Sequence, residues 1–302
     1  MLSKELGSTG VQVPEVGIGT WNLRAGPGPL RCGLEAGALF LDTGESYGTE
    51  EVVGAAVKGM RDRVLIATKV SPEHFRAADF RAAVDRSLSR LGTERIDLLQ
   101  LHHPNPAIPL QETMGAMAEA IEAGKVRFAG VSNFSISQLQ EAQTVLGKYP
   151  IVSNQVRYNL IDRTIEKGLL QYCQEKRITV IAYSPLAKGL GRILDCDPSG
   201  VLAEVARAVG KSPAQVALNW CLSKAPVVVI PAGNSDQHVL ENCGASDWRL
   251  SPEQVALLDA KIQFRDRSRL DALVRKYMPR SLEKLAIRAR NSLPKGLRRR
   301  LT

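Results

Sequence analysis

The chain has 302 residues, 40 Lys and Arg against 31 Asp and Glu, and a formal net charge of +9. Fourteen basic and three acidic residues fall in 261–302, so that segment carries +11 and residues 1–260 carry −2. A nucleic-acid reading of the charge is therefore excluded for the body and stays open only for the last 42 residues. Hydrophobic residues at 44% and charged residues at 24% are ordinary for a globular chain. No apolar run approaches the ~18 residues that cross a bilayer. The start, MLSKELGSTG, lacks the apolar stretch of a signal peptide. Five widely spaced cysteines show no CxxC pair and no zinc spacing. Reduced thiols, no metal site and a cytoplasmic location are expected.

In chain order, residues 6–13, with Gly10 at a turn, predict a small hairpin closing one end of a barrel. Short β-branched or apolar runs then predict strands over 16–20, 40–43, 64–70, 96–102, 128–132, 152–156, 179–183 and 227–231. Segments of helical period fall between them, most clearly 77–90, 112–123, 137–146, 166–176, 213–223 and 237–243. Phe80, Ala83, Val84, Ser87, Leu88 and Leu91 repeat at helical spacing and mark one buried face. Ser212-Pro213 and Ser251-Pro252 each read as a cap followed by proline in the first turn. Eight alternating units suit an eight-stranded parallel barrel, the (β/α)8 TIM barrel, over residues 1–260. The rival is an open dinucleotide-binding sheet, but Gly17-Ile18-Gly19-Thr20-Trp21-Asn22 lacks the third glycine of its fingerprint.

In such a barrel the reacting groups sit at the carboxyl ends of the strands. Asp42, Lys69 and His102 end three successive predicted strands, and Tyr47 follows the first of them. A lysine inside an apolar barrel needs a counter-charge, and Asp42 is at hand. A cation beside a phenol favours phenolate and lowers the Tyr47 pKa. A tyrosine so tuned can give a proton to a developing alkoxide, with His102 orienting the carbonyl oxygen. Each residue alone also fits a cap, a solvated side chain or core packing; the combination at adjacent ends points to carbonyl reduction by hydride. His103 is expected to face away from the site.

Residues 37–48, GALFLDTGESYG, resemble a signature of the aldo-keto reductase superfamily, here of its bacterial type. Ala67-Thr68-Lys69-Val70, Asp97 through His102, Gly124 through Phe134, Asn154-Gln155, Tyr183-Ser184-Pro185-Leu186 and Ile230-Pro231 are similar to its further motifs, in order. The resemblance covers about residues 3 to 260. It implies a TIM barrel that reduces aldehydes or ketones with NADPH or NADH. It makes Tyr47 the general acid, tuned by Lys69 and Asp42, with His102 holding the carbonyl. It assigns Ser132, Asn133 and Gln155 to the nicotinamide carboxamide and Tyr183 to its ring. Thr20 and Trp21 lie at the mouth, and Ser184, Leu186 and Gly189 run along the pyrophosphate. The segment 232–242, with Asn234, Ser235, His238, Glu241 and Asn242, would hold the adenosine end, where helix N–H groups favour phosphate.

The chain departs from the family pattern in places. After the last strand it reads Ala232-Gly233-Asn234-Ser235-Asp236-Gln237-His238, where a 2′-phosphate would call for Lys or Arg and Asp236 repels it. NADH or dual use is therefore open. Gly44 stands where alanine is usual, a tolerable change. Short segments at 24–30 and 190–200 suggest an open cofactor site with fast exchange. Residues 261–302 match no family motif; Leu282, Leu285, Ala286, Ala289 and Leu293 share one helical face in a basic C-terminal tail. That tail reads as a packed terminal helix, a contact for anionic lipid, or a contact for an acidic partner or nucleic acid. The expected partner of the barrel is a small carbonyl substrate, and the expected state a monomer or small homo-oligomer. Two other functions stay open: a cofactor-binding regulatory or scaffold barrel, and an adaptor acting through the tail.

Overall fold

The computed structural model describes residues 1–264. Its strands are β1 (Ser3–Glu5), β2 (Gln12–Pro14), β3 (Ile18–Gly19), β4 (Phe40–Asp42), β5 (Leu65–Val70), β6 (Ile96–Leu101), β7 (Val126–Ser132), β8 (Ile151–Arg157), β9 (Thr179–Tyr183) and β10 (Val227–Val229). Its helices are α1 (Gly28–Glu35), α2 (Glu50–Val57), α3 (Ala77–Leu91), α4 (Leu110–Glu122), α5 (Ile136–Leu146), α6 (Leu169–Glu175), α7 (Gly191–Leu194), α8 (Val201–Val209), α9 (Pro213–Leu222), α10 (Asp236–Cys243) and α11 (Pro252–Lys261).

Strands β3 to β10 pair side by side in chain order, all parallel. The first and last of them meet: the Gly17 and Gly19 N–H groups donate to the Val229 and Pro231 carbonyls at 2.8 and 3.1 Å. The sheet is thus a (β/α)8 barrel rather than an open sheet. Closure explains Gly19. A Cβ there would lie 2.7 Å from the Ile230 carbonyl oxygen, so any side chain would push the seam apart.

Six interior residues, Phe40, Ala67, Leu98, Val152, Ile181 and Val228, come from six different strands, and Leu6 and Val13 join them from the hairpin. The hairpin was expected over 6–13, but its ladder pairs Ser3–Glu5 with Gln12–Pro14, and the intervening residues form the turn. The reason is packing: Leu6 turns down into the barrel floor just past the ladder, and Val13 enters the floor from within it, paired with Lys4. Lys4 Nζ fastens this plug by donating to the Leu222 and Val227 carbonyls at 2.7 and 2.6 Å.

The helices cover the outside. α3 buries Phe80, Ala83, Val84, Ser87 and Leu91, the face its spacing marks, while Leu88 is half-buried. Ser212 and Ser251 cap α9 and α11 in capping boxes with Gln215 and Gln254. The helix expected over 166–176 is interrupted. Thr164–Lys167 is a 3-10 turn, and α6 begins only after Gly168, whose φ of 128° no helix accepts. Among the described residues no helix is long and apolar enough to cross a membrane, and all five cysteines are free thiols. The basic helix expected within 261–302 lies, beyond Phe264, outside the described residues.

Candidate active site

Strand alternation sends the interior rows toward one mouth. Two residues beyond Phe40, Ala67 and Leu98 come Asp42, Lys69 and Gln100, and His102 follows Gln100 by two more. Lys69 is fully buried and Asp42 is 2% exposed. Lys69 Nζ donates to Asp42 Oδ1 at 2.5 Å and to the Thr43 carbonyl at 2.6 Å. Asp42 Oδ2 accepts from Gln155 Nε2 at 2.7 Å and from Gln100 Nε2 at 3.2 Å. The carboxylate is thus neutralised and saturated, which is what permits its burial.

Tyr47 closes a 3-10 turn, Glu45–Tyr47, that leaves β4; Gly48, at φ 69°, ends the turn. The phenol oxygen lies 3.5 Å from His102 Nε2, and Lys69 Nζ lies 4.8 Å from the Tyr47 ring centroid. Trp21, half exposed, meets the Tyr47 ring edge-on at 4.9 Å. A Cβ at Gly44 would touch Lys69 and the Tyr47 ring at 3.5 Å, an ordinary contact, so alanine fits there. The four residues expected to react are brought together.

Two expectations are corrected. Lys69 does pull the Tyr47 pKa down, but burial pushes it up more strongly and Asp42 adds to that, so the phenol sits above its ordinary value of 10.0. Tyr47 is therefore a firmly protonated phenol at neutral pH. For Lys69 itself, burial works downward, and the attraction of Asp42, then of Tyr47, more than offsets it, so the ammonium is held above the usual lysine value. Second, His103 does not face away. Its ring stacks on His102 at 4.7 Å and 15°, and its Nδ1 lies 3.0 Å from Asn133 Nδ2.

Asn133 joins several of these groups. Its Nδ2 also donates to the Ser132 hydroxyl at 2.9 Å and the His102 carbonyl at 3.3 Å, and its Oδ1 accepts from the Tyr183 hydroxyl at 3.0 Å. These partners fix which end of the amide is nitrogen, and they make His103 Nδ1 the acceptor. Asn133 adopts φ 63°. Among the described residues, seven non-glycines have positive φ, and five of them (Asn22, Asn133, Ser184, Ala187, Lys188) lie in loops at this mouth. Such backbone is costly and gathers where loops are shaped for binding.

Gln155 reaches Asp42 through an irregularity. In the β7–β8 ladder Ala129 pairs with Ile151 but Gly130 pairs with Ser153, so β8 holds one extra residue. Val152 joins the interior cluster, and Ser153 Oγ is close enough to Gly130 to meet a Cβ there. Plain alternation from Val152 would turn Asn154 inward and Gln155 outward; the bulge reverses this. Ser153 Oγ is left buried with no hydrogen-bond partner.

The other residues assigned to the cofactor spread around the same rim. Ser132 is buried and donates to the Gln155 carbonyl at 2.8 Å. Thr20 is fully buried, its hydroxyl 2.8 Å from Thr49 Oγ1, and so lies behind the surface that Trp21 exposes. Ser184, Leu186 and Gly189 follow β9 in the strained loop. Asn234 Oδ1 accepts from the Arg24 N–H at 2.6 Å, tying the loop after β10 to the loop after β3. Ser235 caps α10 by accepting from the His238 N–H, and Asp236 opens its first turn. His238 is exposed, Glu241 half-buried and Asn242 buried. Sequence reasoning missed Gln100, His103 and the Asn234 tie. Gln100 had a signal: it sits two residues before His102, on the same strand face. Two open hollows of about 640 and 460 Å³ flank Arg61 at the opposite end of the barrel, away from these groups.

A closed eight-stranded barrel with a buried lysine–aspartate pair beneath a tyrosine defines a class of barrel oxidoreductases. The model of the aldo/keto reductase family matches residues 16–263. A methylglyoxal reductase of Escherichia coli, YeaE, is 37% identical over 260 residues, covering 82% of this chain and 91% of the relative. A thermostable aldo-keto reductase, Tm1743, solved with the inhibitor epalrestat, superposes with TM-score 0.81 at 39% identity, covering 86% of this chain and 99% of that one. An aldo/keto reductase of Klebsiella pneumoniae solved with NADP and acetate gives TM-score 0.79 at 36% identity, covering 88% and 96%. The chain belongs to the aldo/keto reductase family and is an NAD(P)H-dependent oxidoreductase.

Proposed function

We propose that the chain reduces an aldehyde or ketone to an alcohol, with Tyr47 as general acid. The carrying observation is the pair of donors at the mouth. Tyr47 Oη and His102 Nε2, 3.5 Å apart, can both reach one carbonyl oxygen, directly above the buried Lys69–Asp42 pair. His102 orients that oxygen, and Tyr47 gives it the proton as charge develops. Lys69 then stabilises the phenolate left behind, and Asp42, held by Gln100 and Gln155, keeps Lys69 charged.

The rim fits a nicotinamide dinucleotide. Ser132 and Asn133 present a hydroxyl and an amide side by side, Gln155 keeps its Oε1 as an acceptor, and Tyr183 offers a ring face between them and the strained loop. That loop, with Ser184, Leu186 and Gly189, would hold the pyrophosphate. Asn234, Ser235, His238, Glu241 and Asn242 would hold the adenosine end, with Thr20 and Trp21 completing the mouth. When bound, the group supplies the hydride. Exposed Asp236 at the α10 N-terminus, with no lysine or arginine at 232–238, supports NADH alongside NADPH.

Titration of NADPH and NADH by protein-fluorescence quenching, then assay on a panel of aldehydes and ketones, tests the reading. The Escherichia coli relative makes methylglyoxal a natural member of the panel. Binding of at least one cofactor and turnover of at least one carbonyl are expected; failure to bind either cofactor would sink the proposal.

A further inference from the structure

We propose that Glu45 and Asn105 are positioning residues, forming a collar that sets the Tyr47 turn, the turn after Lys69 and the loop after His102 relative to one another. This rests on the reductase reading above. Three separate chain segments must agree for one oxygen to meet Tyr47 and His102 over Lys69. The ladder sets only part of their spacing: Lys69 is paired within β5 and the His102 N–H donates to the Val70 carbonyl at 3.0 Å, but the Tyr47 side chain and the chain beyond His102 lie past the paired residues.

Besides the bonds the reacting residues make themselves, a second set of contacts joins these segments. Glu45 opens the 3-10 turn that ends at Tyr47. Its carboxylate, 6% exposed, accepts from the Ser71 N–H and from His74 Nδ1 at 3.0 Å, and Arg86 of α3 stands 3.9 Å away. Ser71 lies two residues after Lys69 and opens the next 3-10 turn, Pro72–His74. From the other side Asn105, three residues after His102, donates through Nδ2 to the Pro72 carbonyl at 2.8 Å. The Asn105 Oδ1 accepts from the Ala107 N–H at 3.0 Å, which fixes the amide's orientation. The chain of bonds therefore runs from the Tyr47 turn, through the turn after Lys69, to the loop after His102. A nearly buried carboxylate is expensive unless fully used. Here its hydrogen bonds join two turns, and the longer Arg86 contact ties it to α3. Misplacing a reacting group by about 1 Å costs about 100-fold in rate.

Glu45→Ala, Glu45→Gln and Asn105→Ala are compared with wild type by steady-state kinetics on a short aldehyde and by cofactor titration. Glu45→Ala should lower kcat by about 10- to 100-fold, with KM and the cofactor Kd within about threefold. Glu45→Gln keeps an oxygen acceptor for the Ser71 N–H and should retain at least about a third of kcat. Asn105→Ala should lower kcat about three- to tenfold with KM held. A Glu45→Ala kcat within twofold of wild type overturns the proposal. So does a parallel loss of kcat, KM and cofactor affinity, which marks a merely structural role. If Glu45→Ala does not fold, Asn105→Ala is judged by its own stated criteria. Amide exchange separates this from the reductase reading, because it needs no turnover. Glu45→Ala should speed exchange at the Ser71 and Tyr47 amides about tenfold or more while β5 stays protected. An inactive wild type with that exchange response would remove the reductase reading and keep the collar; unchanged exchange would remove the collar.

Discussion

Tyr47→Phe is the sharpest perturbation the geometry offers, because it removes one oxygen and little else. The phenylalanine ring keeps the edge contact with Trp21 at 4.9 Å and the Lys69 ammonium 4.8 Å from its centroid. The lost hydroxyl faces His102 Nε2 at 3.5 Å, too long to contribute much stability, and the Lys69 ammonium, which keeps its bonds to Asp42 and the Thr43 carbonyl. The melting temperature should therefore stay within about 2 °C, since the change in stability is under about 0.5 kcal/mol. The chemistry should suffer far more. Loss of a general acid removes about 100- to 10,000-fold in kcat, equivalent to about 3–5 kcal/mol of barrier. Cofactor Kd, read by fluorescence quenching, should change less than about twofold, because no rim group is altered. The wild-type pH profile should agree: with the Tyr47 pKa above 10.0, reduction holds across neutral pH and declines only in the alkaline range, as the phenol loses its proton. A variant with kcat near wild type, or one that loses cofactor affinity in step with kcat, would refute the assignment of Tyr47 as acid.

Three further outcomes follow from other parts of the molecule. Gly19→Ala should destabilise the fold by about 1–3 kcal/mol, since its Cβ would meet the Ile230 carbonyl at 2.7 Å, while Gly44→Ala should be neutral within about 0.5 kcal/mol; paired urea titrations compare them. Burial pushes the Lys4 pKa down to about 8, so the folded protein holds that proton less tightly than the unfolded chain. Unfolding takes up a proton between about 8 and 10.5, and wild-type stability should rise with pH across that window by about 1–3 kcal/mol relative to Lys4→Met; a constant difference in urea midpoint would contradict this. Asp236→Asn should tighten NADPH about three- to tenfold and leave NADH within twofold, because an exposed charge contributes about 1 kcal/mol to a nearby phosphate; equal shifts for both cofactors would place Asp236 away from the 2′ position.

The eight barrel strands were legible because each apolar run is short, β-branched and bounded by helical period. The convergence of Asp42, Lys69, Tyr47 and His102 was legible because strand ends on one barrel share a mouth. What escaped the sequence depends on competition between terms of opposite sign or on single-residue geometry. Whether burial or Lys69 wins at Tyr47 is a matter of how deep the phenol sits, which no motif encodes. The placement of His103 follows from the chain turning after β6, which breaks the alternation that assigned it outward. The hairpin slipped because Leu6 looks like a strand residue while serving, with Val13 of β2, as a plug. Gln155 was placed by family resemblance; alternation alone would have turned it away, since one added residue in β8 is invisible to a period-two pattern.

That added residue also makes β8 a strand that can lose one residue at 152–153 without losing its part in the site. Deleting either Val152 or Ser153 would restore plain register and leave one inward residue opposite Gly130, with Asn154 still outward and Gln155 still inward beside Asp42. It would also discard the unpartnered Ser153 hydroxyl or its bulged neighbour. A single codon's loss here would thus spare the support of the buried lysine, whereas the same loss in a regularly paired strand would turn its carboxyl end to the other face.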